Sequence, residues 1–213
     1  MVKSASGKIS WSLIALFFFY SQQIQAQYVE PEEKDKITTL YPETSFDSTI
    51  AKNALALGKG SITGVAYTKP RTKLGYKAPL ADKIKANKIT VQLFPVTAYL
   101  ESWLELRKKK ESVKKKVYVY MSNEAYRFRL EAITNSEGKF TFPDMKPGKY
   151  FLTAILDYSV GKTYDSYTGS GYNNYGGRTD YYEKKQYYTA HSERIEEFVE
   201  VKKDGEVVKV KLK

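Results

Sequence analysis

The chain contains no cysteine. Disulfides, thiol nucleophiles and cysteine-bound metals are excluded together. A lipobox is excluded too, so the sequence does not read as a lipoprotein. Histidine is nearly absent: His191 stands alone. A zinc site built on a histidine pair is therefore ruled out, and with it a zinc peptidase. His191 reads as a surface or hydrogen-bonded loop residue, against the sharper reading of a general base or ligand. Serines are plentiful, but no Gly-x-Ser-x-Gly elbow occurs. No catalytic residues, metal or cofactor are assigned, and the chain is read as a non-enzyme. Acidic residues are the minority charge, 24 against 35 lysines and arginines, which gives +11 over 213 residues. With 42% hydrophobic and 28% charged residues, the composition is that of a soluble globular protein of one domain plus extensions.

Residues 1–26 read as a signal peptide. Lys3 and Lys8 form a positive start, and Trp11–Tyr20 is an apolar run too short to span a bilayer. Cleavage is placed after Ala26; an uncleaved anchor is the alternative. Removing two lysines leaves +9, with no transmembrane segment expected in the remainder. Residues 27–58 read as a flexible leader with a short helix, Asp47–Leu57. Asp47 or Ser48 is its cap, Ile50, Ala54 and Leu57 are its apolar face, and Gly58 is its stop. Residues 59–213 are the expected domain.

The centre of that domain is Arg127–Tyr158. Phe128, Leu130 and Ala132 alternate with polar neighbours, as do Phe140 and Phe142. Asn135–Gly138 and Lys146–Lys149 are turn chemistry, with positive φ expected at Gly138 and Gly148, and Pro143 is expected to end its strand. Tyr150, Leu152, Ala154 and Leu156 share one face of a strand whose other face carries Phe151, Thr153 and Ile155, so this strand reads as central. Thr134-Asn-Ser-Glu-Gly-Lys-Phe-Thr-Phe followed by Met145-Lys-Pro-Gly-Lys-Tyr resembles the pattern of carboxypeptidase regulatory-like domains. Ser61-Ile-Thr-Gly-Val-Ala and Lys88-Ile-Thr-Val-Gln-Leu resemble that family's first two strands. Met145 stands where the family usually has leucine. The resemblance covers roughly residues 60–156 and the last two strands. It implies a transthyretin-like, carbohydrate-binding-like sandwich found as an accessory module on secreted and envelope bacterial proteins. It does not extend to the transthyretin-like ureide hydrolases, whose histidines and Tyr-Arg-Gly-Ser end are missing here.

Two segments exceed a minimal sandwich. Ala98–Lys116 reads as an inserted amphipathic helix: Leu100, Trp103, Leu104 and Arg107 fall at helical spacing, and Thr97 caps the start. Its end carries a basic cluster, Arg107, Lys108, Lys109, Lys110, Lys114, Lys115 and Lys116. That cluster is either a patch for an anionic envelope surface or a solvated helix end. Nucleic acid is the weakest partner, because no aromatic residue interleaves the lysines. Residues 159–190 hold many glycines, and nine of the chain's 19 tyrosines lie from Tyr158 to Tyr188. The glycines argue against a regular strand, so a long loop is expected. Tyr164, Tyr167, Tyr172, Tyr175, Arg178, Tyr181 and Tyr182 are its candidate glycan- or protein-contacting residues; a self-packed loop is the alternative. Ile195–Val201 and Glu206–Lys213 read as a closing hairpin around Asp204-Gly205. The expected architecture is an all-β sandwich of seven strands with a short N-terminal helix and the inserted helix. The expected function is a non-catalytic exported binding module, periplasmic or secreted, with carbohydrate as ligand class. A structural role bound to an envelope protein is the alternative, and a hydrolase a remote one.

Overall fold

A computed structural model describes residues 36–72 and 75–213. The signal and the start of the leader lie outside the described residues. The strands, in chain order, are β1 (Thr38–Leu40), β2 (Gly60–Thr68), β3 (Ile84–Lys85), β4 (Thr90–Pro95), β5 (Val117–Val119), β6 (Leu130–Ile133), β7 (Lys139–Met145), β8 (Gly148–Tyr172), β9 (Arg178–Val201) and β10 (Val207–Leu212). The helices are α1 (Ser48–Ala54), α2 (Ala98–Lys110) and α3 (Asn123–Arg127). In the first sheet β2 pairs with β10 in parallel and with β7 and β3 antiparallel. The second sheet runs β6-β4-β8-β9, antiparallel throughout. β1 and β5 form a separate parallel pair. The molecule is therefore an all-β sandwich, with four strands in each main sheet rather than seven in all.

Period-two alternation builds the core. Ile62 and Ala66 of β2, Val91 and Leu93 of β4, Phe140 and Phe142 of β7, and Tyr150, Leu152, Ala154 and Leu156 of β8 form one buried cluster. Ile195, Val201 and Leu212 complete it. β8 is central as expected, hydrogen-bonded to β4 on one side and β9 on the other. The Tyr150 hydroxyl is not stranded: its one proton lies between the carbonyls of Lys146 at 2.8 Å and Ala54 at 3.1 Å.

Several local expectations need correction. The turns after β6, β7 and β9 do not close hairpins. β6 and β7 lie in different sheets, as do β7 and β8, and β9 and β10. Each turn therefore carries the chain across the sandwich. Gly138 does take positive φ, at 74°, but around Pro147 it is Asp144 (φ 56°), not Gly148, that does so. Pro143 does not end β7; it sits where the register against β2 slips between Gly60 and Ile62, a bulge that needs no donor from proline. Phe128 belongs to the end of α3, not to a strand. The leader is not wholly flexible: β1 pairs with β5, and the Phe46 ring packs 5.4 Å from those of Tyr99 and Phe128. Helix α1 is capped by Asp47, which accepts from the Thr49 and Ile50 amides. Its buried residue is Ala51, while Ile50 and Leu57 are exposed. The inserted helix ends at Lys110, and a 3-10 turn over Val113–Lys115 follows.

The largest correction concerns residues 159–190. They form no loop. β8 and β9 stay paired from Gly148↔Val201 to Tyr172↔Arg178, and a short turn at residues 173–177 closes them. At ~3.3 Å per residue the stretch 161–172 is about 40 Å long. Two of the strand glycines are covered by rings: Tyr188 lies over Gly161 and Tyr181 over Gly171, which shields an otherwise bare strand. The extra residue Thr168 makes a bulge before Gly169.

Where the ribbon leaves the sandwich, Glu193 is buried and tied down. It accepts from the Thr68 hydroxyl at 2.6 Å and pairs with Arg71 and Lys77, both at 2.9 Å. Burial pushes its carboxyl up, but Thr68, Lys77 and Arg71 together hold it below the usual carboxylate value. A folded value below the unfolded one means that the unfolded chain binds more protons. The contribution is thus present above about pH 4.5 and is lost as pH falls through the folded value. Urea melts should show Glu193→Gln about 1–3 kcal/mol less stable at pH 7. That gap should narrow on acidification toward pH 3; a constant gap would show that the carboxylate's charge contributes nothing.

Candidate functional site

The outer face of the second sheet carries a second apolar cluster. Phe94 of β4 and Phe151 of β8 point away from the main core and are covered by Leu100 and Trp103 of α2 and by Val119 of β5. Thr97 caps α2 by accepting from the Leu100 amide. Trp103 fixes the arrangement: its Nε1 donates to the Val119 carbonyl at 3.3 Å, and its ring meets Phe151 edge-on at 6.4 Å. The covering layer does not extend over the whole sheet. Where α2 ends and β5 turns away, a cleft of about 790 Å³ opens, within the range of small-ligand sites.

Its floor is the sheet: Gln92 and Phe94 of β4 with Thr153 and Ile155 of β8. One wall is Trp103, Arg107 and Glu111; the other is Tyr118–Met121 with Tyr126 of α3, and Tyr41 and Arg194 stand at the sides. Tyr41, Tyr120 and Tyr126 are 56%, 52% and 42% exposed, so their rings face solvent at the cleft. Planar polar groups lie beside Tyr126. Gln92 Nε2 donates to the Tyr126 hydroxyl at 2.8 Å and to Glu131 at 3.3 Å, which turns its carbonyl oxygen toward the acceptor role. Arg129 lies 3.9 Å over the Tyr126 ring and holds Glu131 at 2.7 Å. Arg129 also keeps the Glu131 carboxyl below its usual value, so that group is an acceptor and not a proton donor near neutral pH.

Arg107 is the one member of the basic cluster that enters the site. Its guanidinium stacks on Trp103 at 4.4 Å and pairs with Glu196 at 2.6 Å. Its Nη1 is buried with no hydrogen-bond partner among the described residues. Arg194 and Glu111 pair across the mouth at 3.0 Å. The cleft's charges are thus balanced by neighbours, and the remaining recognition chemistry is aromatic faces plus hydrogen-bonding edges. Such a set suits a ligand with apolar faces and hydroxyl rims.

The other basic residues stay outside. Lys108, Lys110, Lys114 and Lys115 are exposed, Lys109 pairs with Glu105 at 2.6 Å, and Lys116 takes φ 55° before β5. The nominated tyrosines do not converge on one site. Pairing places Tyr167, Tyr172 and Tyr182 on one face of the ribbon and Tyr164 and Tyr181 on the other, with Tyr175 in the tip turn. Arg178 pairs with Asp180 at 2.7 Å. His191 stacks on Tyr158 at 5.2 Å. Among the described residues no cluster of acidic or histidine side chains is arranged to hold a metal, and no helix is long and apolar enough to cross a membrane.

No family model matches the sequence, and no curated protein matches it. Among solved structures, the chain is similar to a protein from Pseudomonas aeruginosa described as a "putative carbohydrate binding protein". The two are 18% identical with a TM-score of 0.49, and the match covers 79% of this chain and 97% of that one.

Proposed function

We propose that this protein is a non-catalytic binding module exported to the bacterial envelope, periplasmic or secreted, and that it holds a carbohydrate in the cleft beside Trp103. The observation that carries the reading is the pairing of exposed tyrosine rings with an oriented amide and a guanidinium stacked on Trp103 in one concavity. Sugars present apolar C–H faces and a rim of hydroxyls, and rings with planar side chains match both. Export rests on the sequence of residues 1–26. The non-catalytic part rests on the sequence, which has no cysteine, a single histidine and no nucleophile elbow.

Trp11 and Trp103 are the two tryptophans, so after cleavage fluorescence excited selectively at tryptophan reports on the cleft. A glycan array followed by fluorescence titration tests the proposal. The hit should change Trp103 emission, and Gln92→Ala and Tyr126→Ala should each weaken binding about tenfold, the value of one lost hydrogen bond or stacked face. An empty array, a hit that leaves both variants unaffected, or cleavage of the bound sugar would each overturn it. A structural role is the second reading, favoured by the long exposed ribbon.

A further inference from the structure

The ribbon is a structural problem as it stands. From 161 to 188 no residue is buried, and among the described residues the only strand neighbour of each ribbon strand there is the other. A two-stranded hairpin alone is marginal in water, and a free strand edge is a template for another strand. The two edges differ. β8 is interrupted by Gly161, by the bulge at Thr168 and by Gly169 and Gly171. β9 runs 24 residues from Arg178 to Val201 with no glycine or proline, and it is the outermost strand of its sheet. Its distal half is rich in tyrosine and threonine, which favour strands.

Charge identifies the occupant. Residues 161–188 carry Lys162, Arg178, Lys184 and Lys185 against Asp165, Asp180 and Glu183, while the whole chain is +11. This nearly balanced segment is no docking surface for a polyanion. It matches itself instead. Consider two copies of β9 pairing antiparallel about a two-fold axis through one residue, which then faces its own copy. Centred on Asp180, Glu183, Lys184 or Lys185, the pairing sets like charges opposite each other; centred on Tyr181 it sets Arg178 against Lys184, on Gln186 Arg178 against Arg194, and on Tyr188 Glu183 against Glu193. Centred on Thr179 it runs out of strand after one pair on each side, and centred on Tyr187 it draws on Arg194 and Glu196, which Glu111 and Arg107 already hold. Centred on Tyr182, it sets Asp180 against Lys184 twice, once on each side of the axis, and no like charges meet. All these residues share one face with Tyr167, whose ring already packs edge-on against Tyr182 at 5.8 Å.

We propose that β9 adds edge-to-edge to β9 of a second copy, with Tyr182 at the dyad, turning two ribbons into one four-stranded sheet. A row of four tyrosines, Tyr167 and Tyr182 from each copy, crosses its middle. The inference rests on the ribbon and is independent of the cleft's ligand.

The absence of cysteine makes the test clean. In the chain from Gln27 onward, Tyr182→Cys sets two sulfurs on facing strands at a spacing that a disulfide can bridge, and mild oxidation should yield a covalent dimer. Tyr188→Cys sets the two thiols about 40 Å apart along the strands and should not. In sedimentation, Asp180→Lys and Lys184→Asp should each weaken dimerisation at least tenfold, and the double variant should restore it. All four positions are on the exposed ribbon, so the sandwich itself is untouched, and circular dichroism verifies this. The proposal is overturned if the unaltered chain is monomeric up to millimolar concentration. It is equally overturned if the Tyr182→Cys and Tyr188→Cys variants cross-link alike, or if the charge swap fails to restore the dimer. Retention of a strictly monomeric chain by a glycan or by another envelope protein would assign the ribbon to that ligand instead.

Discussion

Trp103→Ala is expected to destabilise the protein by about 3–5 kcal/mol and, on the function proposed above, to remove saccharide binding. Trp103 is 8% exposed and touches three elements at once. It packs on Phe151 from the sheet, hydrogen-bonds Val119 of β5, and supports the Arg107 guanidinium on its own helix. Alanine removes the ring, takes the Trp103 donor from the Val119 carbonyl and takes away the surface on which Arg107 lies. Arg107 then keeps its pair with Glu196 but loses its orientation in the cleft. Trp103→Phe separates these effects: it retains most of the packing and loses the N–H, so about 1–2 kcal/mol should go. Denaturation followed by circular dichroism measures both variants. A loss under about 1 kcal/mol in the alanine variant would mean that α2 does not depend on this anchor.

The layers of this fold were legible because alternation is local. Phe140 and Phe142 and the even residues of Tyr150–Leu156 could be assigned to one face from spacing alone, and Leu100 and Trp103 to one side of a helix. Pairing was not legible, because it depends on residues far apart. Asn135–Lys139 and Asn173–Gly177 have nearly the same turn chemistry, yet the first leads from one sheet to the other and the second closes a hairpin. The ribbon was misread because glycine was weighed by its own strand propensity. The ring of a cross-strand tyrosine, which changes that weight, is invisible until the register is known. The cleft was missed for a related reason. Gln92, Trp103, Tyr120, Tyr126 and Arg194 come from five separate segments and form no motif. One signal was available: Phe94 and Phe151, apolar residues on the supposed outer face, implied a covering layer whose border would leave a cleft.

The two similar turns allow backbone strain to be separated from packing. In each, an asparagine side chain accepts from two amides ahead of it: Asn135 from Glu137 and Lys139, Asn173 from Tyr175 and Gly177. In each, the fourth residue is a left-handed glycine, Gly138 at φ 74° and Gly176 at φ 80°. Their surroundings differ. A Cβ on Gly176 would meet nothing within 4 Å, whereas one on Gly138 would stand 2.4 Å from the Ala66 carbonyl oxygen. That oxygen belongs to a central strand and accepts from the Ala86 amide at 3.0 Å, while the Gly138 carbonyl accepts from the Ala66 amide at 2.8 Å. Neither side can yield without breaking the edge of the first sheet. Gly176→Ala should therefore cost only the left-handed penalty, about 1–2 kcal/mol, and only within the ribbon. Gly138→Ala should add to that penalty the loss of one or two buried backbone hydrogen bonds, for a total of about 3–5 kcal/mol. Amide hydrogen exchange distinguishes them: the first variant should speed exchange near the ribbon tip alone, and the second should speed it along β2 and β7. Equal costs would show that the contact between Gly138 and Ala66 carries no share of the fold's stability.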